Sequence, residues 1–279
     1  MRPCLVLFCL ILALPLAAQT PPPSPAPGGP PPIEDNSFLV EEAYNQERGI
    51  VQHVSTFATS AGSGSWMYTF TQEWPVAGQT HQLSYAVPVA HNDDPVATGT
   101  GIGDIAVNYR YQIGGGELRF ALAPNLGLSL PTGDSRRALG SGGTGFHFKL
   151  PFSARLSNTI VAHSNAGVSY TPRARDTFGN AAPIRGLSLG QSVIWLAHPQ
   201  LNFMLESTWS DFEEVTGPRQ TERATEFLLS PGIRTAFNLR SGLQIVPGLA
   251  FPFGIGKSRG ERGVFAYLSF EHPFTRQSP

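Results

Sequence analysis

TGIGDIAVNYRYQIGGGELRFALAPNLGLSLPTGD, residues 100–134, decides the fold. In its first half Ile105, Val107, Tyr109, Tyr111 and Ile113 share one face of an extended chain, and Asp104, Asn108, Arg110 and Gln112 share the other. After Gly114, Gly115 and Gly116 the pattern resumes: Leu118, Phe120, Leu122, Leu126, Leu128 and Leu130 against Arg119, Ala121, Asn125, Gly127 and Ser129. A period of two puts successive side chains on opposite sides of a strand, so the stretch is an antiparallel hairpin with one apolar face.

The same alternation runs outward in both directions. Phe146, Phe148, Leu150 and Phe152 oppose His147, Lys149, Ser153 and Arg155, and Leu243, Ile245, Leu249, Phe251 and Phe253 oppose Gln244, Gly248 and Ala250. A soluble sandwich shows lysine and glutamate on its polar face. Here that face is short of lysine and rich in Gly, Ala, Ser and Asn, which suits the wet, crowded interior of a barrel whose apolar side meets lipid.

Connection lengths point the same way. Twelve strands are predicted over 48–59, 65–76, 79–90, 100–113, 117–131, 143–155, 159–171, 184–197, 200–210, 223–237, 241–253 and 262–274. Short turns at 77–78, 114–116, 156–158, 198–199 and 238–240 alternate with the longer polar segments HNDDPVAT, TGDSRRALGSG, TPRARDTFGNAA, DFEEVTGPRQTE and GIGKSRGE; only the first connection, Ala61 to Gly64, breaks the rule. Short periplasmic turns, long outer loops and an even strand number are the pattern of outer-membrane barrels, and they return both ends of the chain to the periplasm. Trp66, Tyr68, Phe70 and Trp74 share a face, and Tyr109, Tyr111 and Trp209 lie near strand ends, as interfacial girdles require. The last strand, GVFAYLSFEHPF, ends at Phe274 and has the form of a recognition strand for the barrel-assembly machinery.

The N-terminus fits export. Arg2, the apolar run Leu5 to Leu16 and Ala17-Ala18 form a signal peptide, residues 1–18. Cys4 and Cys9 both fall inside it, so the mature chain has no disulfide and no thiolate chemistry. Residues 19–47 comprise a proline-rich linker (PPPSPAPGGPPP, 21–32) and most of an acidic stretch, IEDNSFLVEEAYNQER (33–48), the one segment with the makings of a short helix. The barrel is expected over 48–274, with a tail at 275–279. No later run of eighteen apolar residues exists, the charged fraction is 14%, and the net charge of −1 gives no footing for nucleic acid.

Three segments, FLVEEAYNQERGIVQHV (38–54), TGIGDIAVNYRYQI with LAPNLGLSLPTGD (100–113 and 122–134) and AGVSYTP (166–172), resemble the outer-membrane family known as the "MetA-pathway of phenol degradation" transporters. The resemblance runs over the mature chain and implies a barrel with a transport role. It transfers no functional residue.

Candidate site residues follow from the polar face. Glu73, Asp104, Arg110, Arg119, His147, Lys149, Arg155, His163, Glu206, Glu226, Arg234 and Glu271 are expected to line the lumen, either pairing across strands or walling a path for a polar solute. Glu34, Asp35, Glu41, Glu42 and Tyr44 are expected to fold inward as a plug, their acidic charge meeting lumen arginines. The seven histidines show no metal-ligand spacing, and no metal or cofactor is expected. His163-Ser164-Asn165 has the residue types of a hydrolase, but on a strand His163 and Ser164 point to opposite faces. GTGIGDIAV (99–107) leads into a strand, not the helix a phosphate-binding fingerprint needs.

The sequence thus predicts an all-β, antiparallel transmembrane barrel of about twelve strands in the outer membrane of a Gram-negative-type bacterium, with a Pro-rich linker and a short plug. Its partners are membrane lipid, the assembly machinery and a small solute. The leading expectation is a passive channel or transporter, without enzymatic activity, for small molecules of hydrophobic or aromatic character. A sealed structural or adhesive barrel and a membrane-embedded hydrolase are the alternatives.

Overall fold

A computed structural model describes residues 32–273 except Ala77, Gly116, Glu117, Ser241 and Gly242. The expected signal peptide, most of the proline-rich linker, Phe274 and the tail lie outside the described residues.

The described chain forms one closed antiparallel barrel of twelve strands. They are β1 (Ile50–Ser60), β2 (Trp66–Pro75), β3 (His81–Asn92), β4 (Gly99–Ile102 and Ile105–Tyr111, continued by Ile113–Gly114), β5 (Phe120–Leu122 and Asn125–Leu130) and β6 (Gly145–Arg155). Then come β7 (Ile160–Arg175), β8 (Ala181–His198), β9 (Leu201–Gly217), β10 (Gln220–Thr235, continued by Phe237–Asn238), β11 (Gln244–Ala250 and Phe253–Gly254) and β12 (Gly263–Pro273). Each strand pairs with its neighbours in sequence, and β12 pairs with β1 from Gly263↔Ser60 to Pro273↔Ile50, which closes the barrel and leaves no free sheet edge.

The alternation read from residues 100–134 sets which face turns out. Leu126 is 60% exposed and Leu205 53% exposed, and both belong to a belt of outward apolar side chains that includes Val107, Phe148, Leu189 and Val193. In water such a belt would be a severe liability; in a bilayer it is the solvated surface.

Two structural findings differ from the sequence reading. TPRARDTFGNAA and DFEEVTGPRQTE, read as outer loops, are mostly strand: β7, β8, β9 and β10 run 16, 18, 17 and 16 residues, against 11, 10 and 12 for β1 to β3. At about 3.3 Å per residue this side of the wall stands roughly 15 Å taller. The polar residues there stay extended because each strand keeps a paired neighbour, as in Glu213↔Arg223 and Val215↔Thr221. Second, no helix forms in 33–48. Its backbone hydrogen bonds go to the barrel wall instead.

Candidate functional site

The inward faces of the strands carry an unusual set of buried polar groups: Gln82, Arg110, Asn125, Ser153, His163, Ser192, Asn202, Glu206 and Arg234. Buried donors and acceptors need partners, and most of these find them on residues 33–48, which cross the barrel interior as a loop. The loop enters at the periplasmic end, where Ile33 N donates to Pro199 O at 2.7 Å. It climbs past Asn202, whose Nδ2 donates to Glu34 O, and past His163, whose Nε2 meets Asp35 O at 2.8 Å. Arg234 Nη1 donates to Asn36 O, and the Ser37 and Ser192 hydroxyls meet at 2.7 Å.

At the tip, Glu206 Oε1 accepts the backbone N–H groups of Phe38, Leu39 and Val40 at 3.2, 2.9 and 3.1 Å. Asn165 brackets the next residue, accepting from Glu41 N and donating to Glu41 O, both at 2.8 Å. The Glu41 carboxylate pairs with Lys149 and accepts from Asn125 Nδ2. Val40 rests on Gly190, where an added Cβ would lie 3.0 Å from Val40 Cγ2.

The return leg is held as closely. Ser153 Oγ accepts from Ala43 N, Gln112 Oε1 from Asn45 N and Gln82 Oε1 from Gln46 N, at 2.6–2.7 Å. The Arg110 fork donates to Asn45 Oδ1, Glu42 O and Tyr44 O, and its Nη2 lies 3.8 Å from Glu73. Five donors in a fixed plane suit this task, and a lysine could not reproduce it. Tyr44 packs over Ala43, Ala121 and Ala123. Gly49, at φ 82, then turns the chain into β1.

One wall of the lumen is apolar. Phe265, Tyr267, Val246 and Ala250, with Val54 and Ala58, form a cluster into which the loop inserts Ile33, Phe38 and Leu39. The Phe38 ring lies 5.6 Å from Phe265 and 5.2 Å from Tyr267, and the Arg234 guanidinium sits 5.2 Å from the Tyr267 ring centre. Gly232 and Gly248 make room for the ring: a Cβ at Gly232 would stand 2.8 Å from Phe38 Cε2, and one at Gly248 closer still. Beneath the loop a cavity of about 280 Å³ opens toward the periplasm, lined by Glu34, Asp35, Glu42, Tyr44, Glu47 and Arg155 among others.

The sequence-derived residues therefore divide. Arg110, Lys149, His163, Glu206 and Arg234 touch the loop directly. Glu73 backs Arg110, and Glu271 accepts from Gln52 Nε2 at 2.8 Å. His147 instead meets Asn108 Oδ1 at 2.7 Å. Asp104 pins the β5–β6 loop, accepting from Gly133 N, Ser141 N and Ser141 Oγ. Arg155 and Arg119 lie by the periplasmic rim, joined by Arg155 N to Arg119 O at 2.8 Å, and Glu226 stands in the upper part of β10 opposite Ser210. Of the loop residues, Glu41 meets a lumen cation, while Glu42 accepts from Asn36 Nδ2 within the loop. Glu34, Asp35 and Tyr44 engage the wall through their carbonyls. Lumen arginines thus meet carbonyl oxygens more than carboxylates. Uncharged side chains such as Ser153, Asn165, Gln82, Gln112 and Ser192, absent from the expected set, supply much of the hold; their inward register was the one available signal.

Ser164 faces outward and donates to Gln191 Oε1 at 2.7 Å, on the opposite side of the wall from His163. A serine–histidine contact does exist on adjacent inward positions, Ser153 Oγ to His163 Nδ1 at 2.7 Å. Asp35 O can only accept, so in the neutral ring Nε2 carries the proton and Nδ1 accepts from Ser153. The serine oxygen in turn accepts from Ala43 N beneath the loop, so the pair is committed to holding it.

No protein-family model matches the sequence, and no curated protein sequence matches it. The resemblance to the phenol-degradation transporter family is therefore not confirmed at the level of family. Solved structures do match. The COG4313 outer membrane channel from Pseudomonas putida F1 is 13% identical, with 83% of this chain and 98% of that chain covered and a TM-score of 0.63. The NanC porin is 10% identical over 79% of this chain and 98% of that chain, at a TM-score of 0.52. At such identities the likeness is one of fold: a closed barrel of the outer-membrane type.

Proposed function

We propose that this protein is an outer-membrane channel for passive movement of small molecules of apolar or aromatic character, with residues 33–48 as a plug that must loosen for passage. The observation that carries this reading is the aromatic wall inside an otherwise polar lumen. Phe265 and Tyr267 face inward, and the plug covers them with Phe38 at 5.6 and 5.2 Å. An aromatic side chain of the protein itself occupies the surface that an aromatic solute would use, and its departure would expose that surface. A polar lumen with one apolar lane suits a solute that carries a ring and a few polar groups. Two barrels of like fold are named as a channel and a porin, which accords with a conducting role.

Liposome swelling and planar-bilayer conductance on the whole protein and on a variant lacking residues 33–46 test this. The deletion should raise conductance severalfold and should admit small aromatic solutes faster than sugars of equal size. Equal, negligible permeation by both proteins would favour the sealed structural barrel, for which the close hydrogen bonding of the plug is the supporting observation.

A further inference from the structure

The tall side of the barrel carries a second feature, on its outer surface. Reading across β7, β8, β9 and β10, Ala166, Leu189, Trp209 and Phe227 form one outward row. Two residues further out the row is Val168, Leu187, Asp211 and Thr225, where the aliphatic character ends halfway across. The next holds Tyr170 beside Arg185 and Glu213 beside Arg223. Apolar and aromatic side chains giving way to charge over about 7 Å mark the outer boundary of the hydrocarbon.

On the outward face at and above that boundary the arginines outnumber the acids free to meet them; Glu214 and Glu222, paired across β9 and β10, lie on the opposite face. Arg223 is satisfied locally, 3.1 Å from Asp211 and 3.5 Å from Glu213, and Glu213 also accepts from Arg185 N. The Asp176 carboxylate is used by its own turn, accepting from Phe178 N, Asn180 N and Asn180 Nδ2. Arg173, Arg175, Arg185 and Arg219 remain, all exposed, with no side-chain partner among the described residues. The backbone gathers the last three: Arg175 pairs with Ala181, Arg219 N donates to Ala181 O at 3.1 Å, and Arg185 lies four residues along the same strand.

The geometry points to a docking surface for the phosphate-bearing headgroup of an outer-leaflet glycolipid, with its acyl chains on the Ala166–Phe227 row and its phosphate oxygens on Arg175, Arg185 and Arg219. Guanidinium groups bind phosphate through paired N–H donors, and basic clusters at a membrane boundary select anionic lipid. The placement argues for lipid over a free anion, because the cluster begins where the lipid-facing apolar surface stops. The inference rests on the barrel lying in an outer membrane and is independent of what crosses its lumen.

The test uses the whole protein extracted from outer membranes. Wild type and an Arg175→Ala/Arg185→Ala/Arg219→Ala variant are compared by mass spectrometry for retained phosphoglycolipid. Wild type is also melted with intact lipid, dephosphorylated lipid, or excess inorganic phosphate. Wild type should retain lipid at least fivefold above the variant, and only intact lipid should raise its melting temperature. Equal retention by the two proteins, or an equal shift with dephosphorylated lipid, would overturn the proposal. A shift given equally by inorganic phosphate would also overturn it, by reassigning the cluster to a free anion. Should the variant fold poorly, the three melting arms on wild type decide alone.

Discussion

Glu206 holds Leu39 by its backbone, Oε1 accepting the N–H at 2.9 Å, and the same oxygen takes the N–H groups on either side. Three successive amides converging on one carboxylate oxygen form an anion nest, here built by the plug around an acid of the barrel wall. Glu206→Leu keeps the approximate volume and strands all three donors. Each stranded buried group costs about 1–3 kcal/mol, so a loss of ~3 kcal/mol would raise the released population more than a hundredfold. Single-channel recordings should show frequent openings in Glu206→Leu and an intermediate level in Glu206→Gln, which retains an acceptor. Identical traces for all three proteins would remove Glu206 from the latch.

Arg110→Lys tests the return leg. Three donated hydrogen bonds to Asn45, Glu42 and Tyr44 depend on the planar fork. An ammonium at that position is expected to satisfy one of them, at a loss of about 2–4 kcal/mol to plug retention. Limited proteolysis from the periplasmic side should then cut near Tyr44 in the variant and spare wild type.

Phe38 and Gly248 should be coupled. Gly248→Ala places a methyl against the Phe38 ring, so the single variant should lose plug retention. In the double variant Phe38→Ala/Gly248→Ala the clash with the ring is gone, and the added cost of the glycine change should fall to what the 2.9 Å approach to Arg234 Cγ leaves. A double-mutant cycle with a coupling below about 0.5 kcal/mol would mean the two residues act independently.

The Glu41–Lys149 pair predicts a pH window. Burial pushes the Glu41 carboxyl up, but the Lys149 ammonium and its hydrogen bond outweigh that and bring it from its ordinary 4.5 down to about 2. A carboxylate depressed in this way contributes fully above its ordinary pKa and loses that contribution as the pH falls toward the depressed one. Conductance should therefore rise as the pH drops from about 4.5 to about 2. Glu41→Gln should lack that step and be more conductive at neutral pH. The pair is partly exposed, so the step should be modest and smaller at high salt.

Much of the barrel was legible because lipid imposes a strict rule on each strand. Every outward position from Ile105 to Ile113 had to be apolar, and no other fold class asks for that alternation beside a glycine-rich inner face. The heights of β7 to β10 were not legible. Once strands leave the bilayer, Asp211, Glu213 and Arg223 face water on a paired sheet, and paired strand and solvated loop then share a composition. The stretch 33–48 was legible as a segment and not as a path. It has the residues of a short helix, but its carbonyls and amides are bonded to wall residues up to 198 positions away, and no local pattern encodes partners so distant. The pocket for Phe38 was hidden for a related reason: Gly232 and Gly248 look like strand glycines with any number of uses until the ring is seen above them.

The plug is pinned at both ends, by Ile33 on Pro199 and by Gly49 running straight into β1. It is a closed loop, not a free tail, and this fixes its kinetics. Release of the tip is a first-order event whose rate does not depend on protein concentration, and rebinding draws on the high effective concentration that a short covalent connection provides. An added peptide copying residues 36–45 would have to compete with that intramolecular partner and should be a poor blocker of the intact protein, yet an effective one once residues 33–46 are removed. On the proposed reading, the barrel would carry its own antagonist at a dose that dilution cannot change.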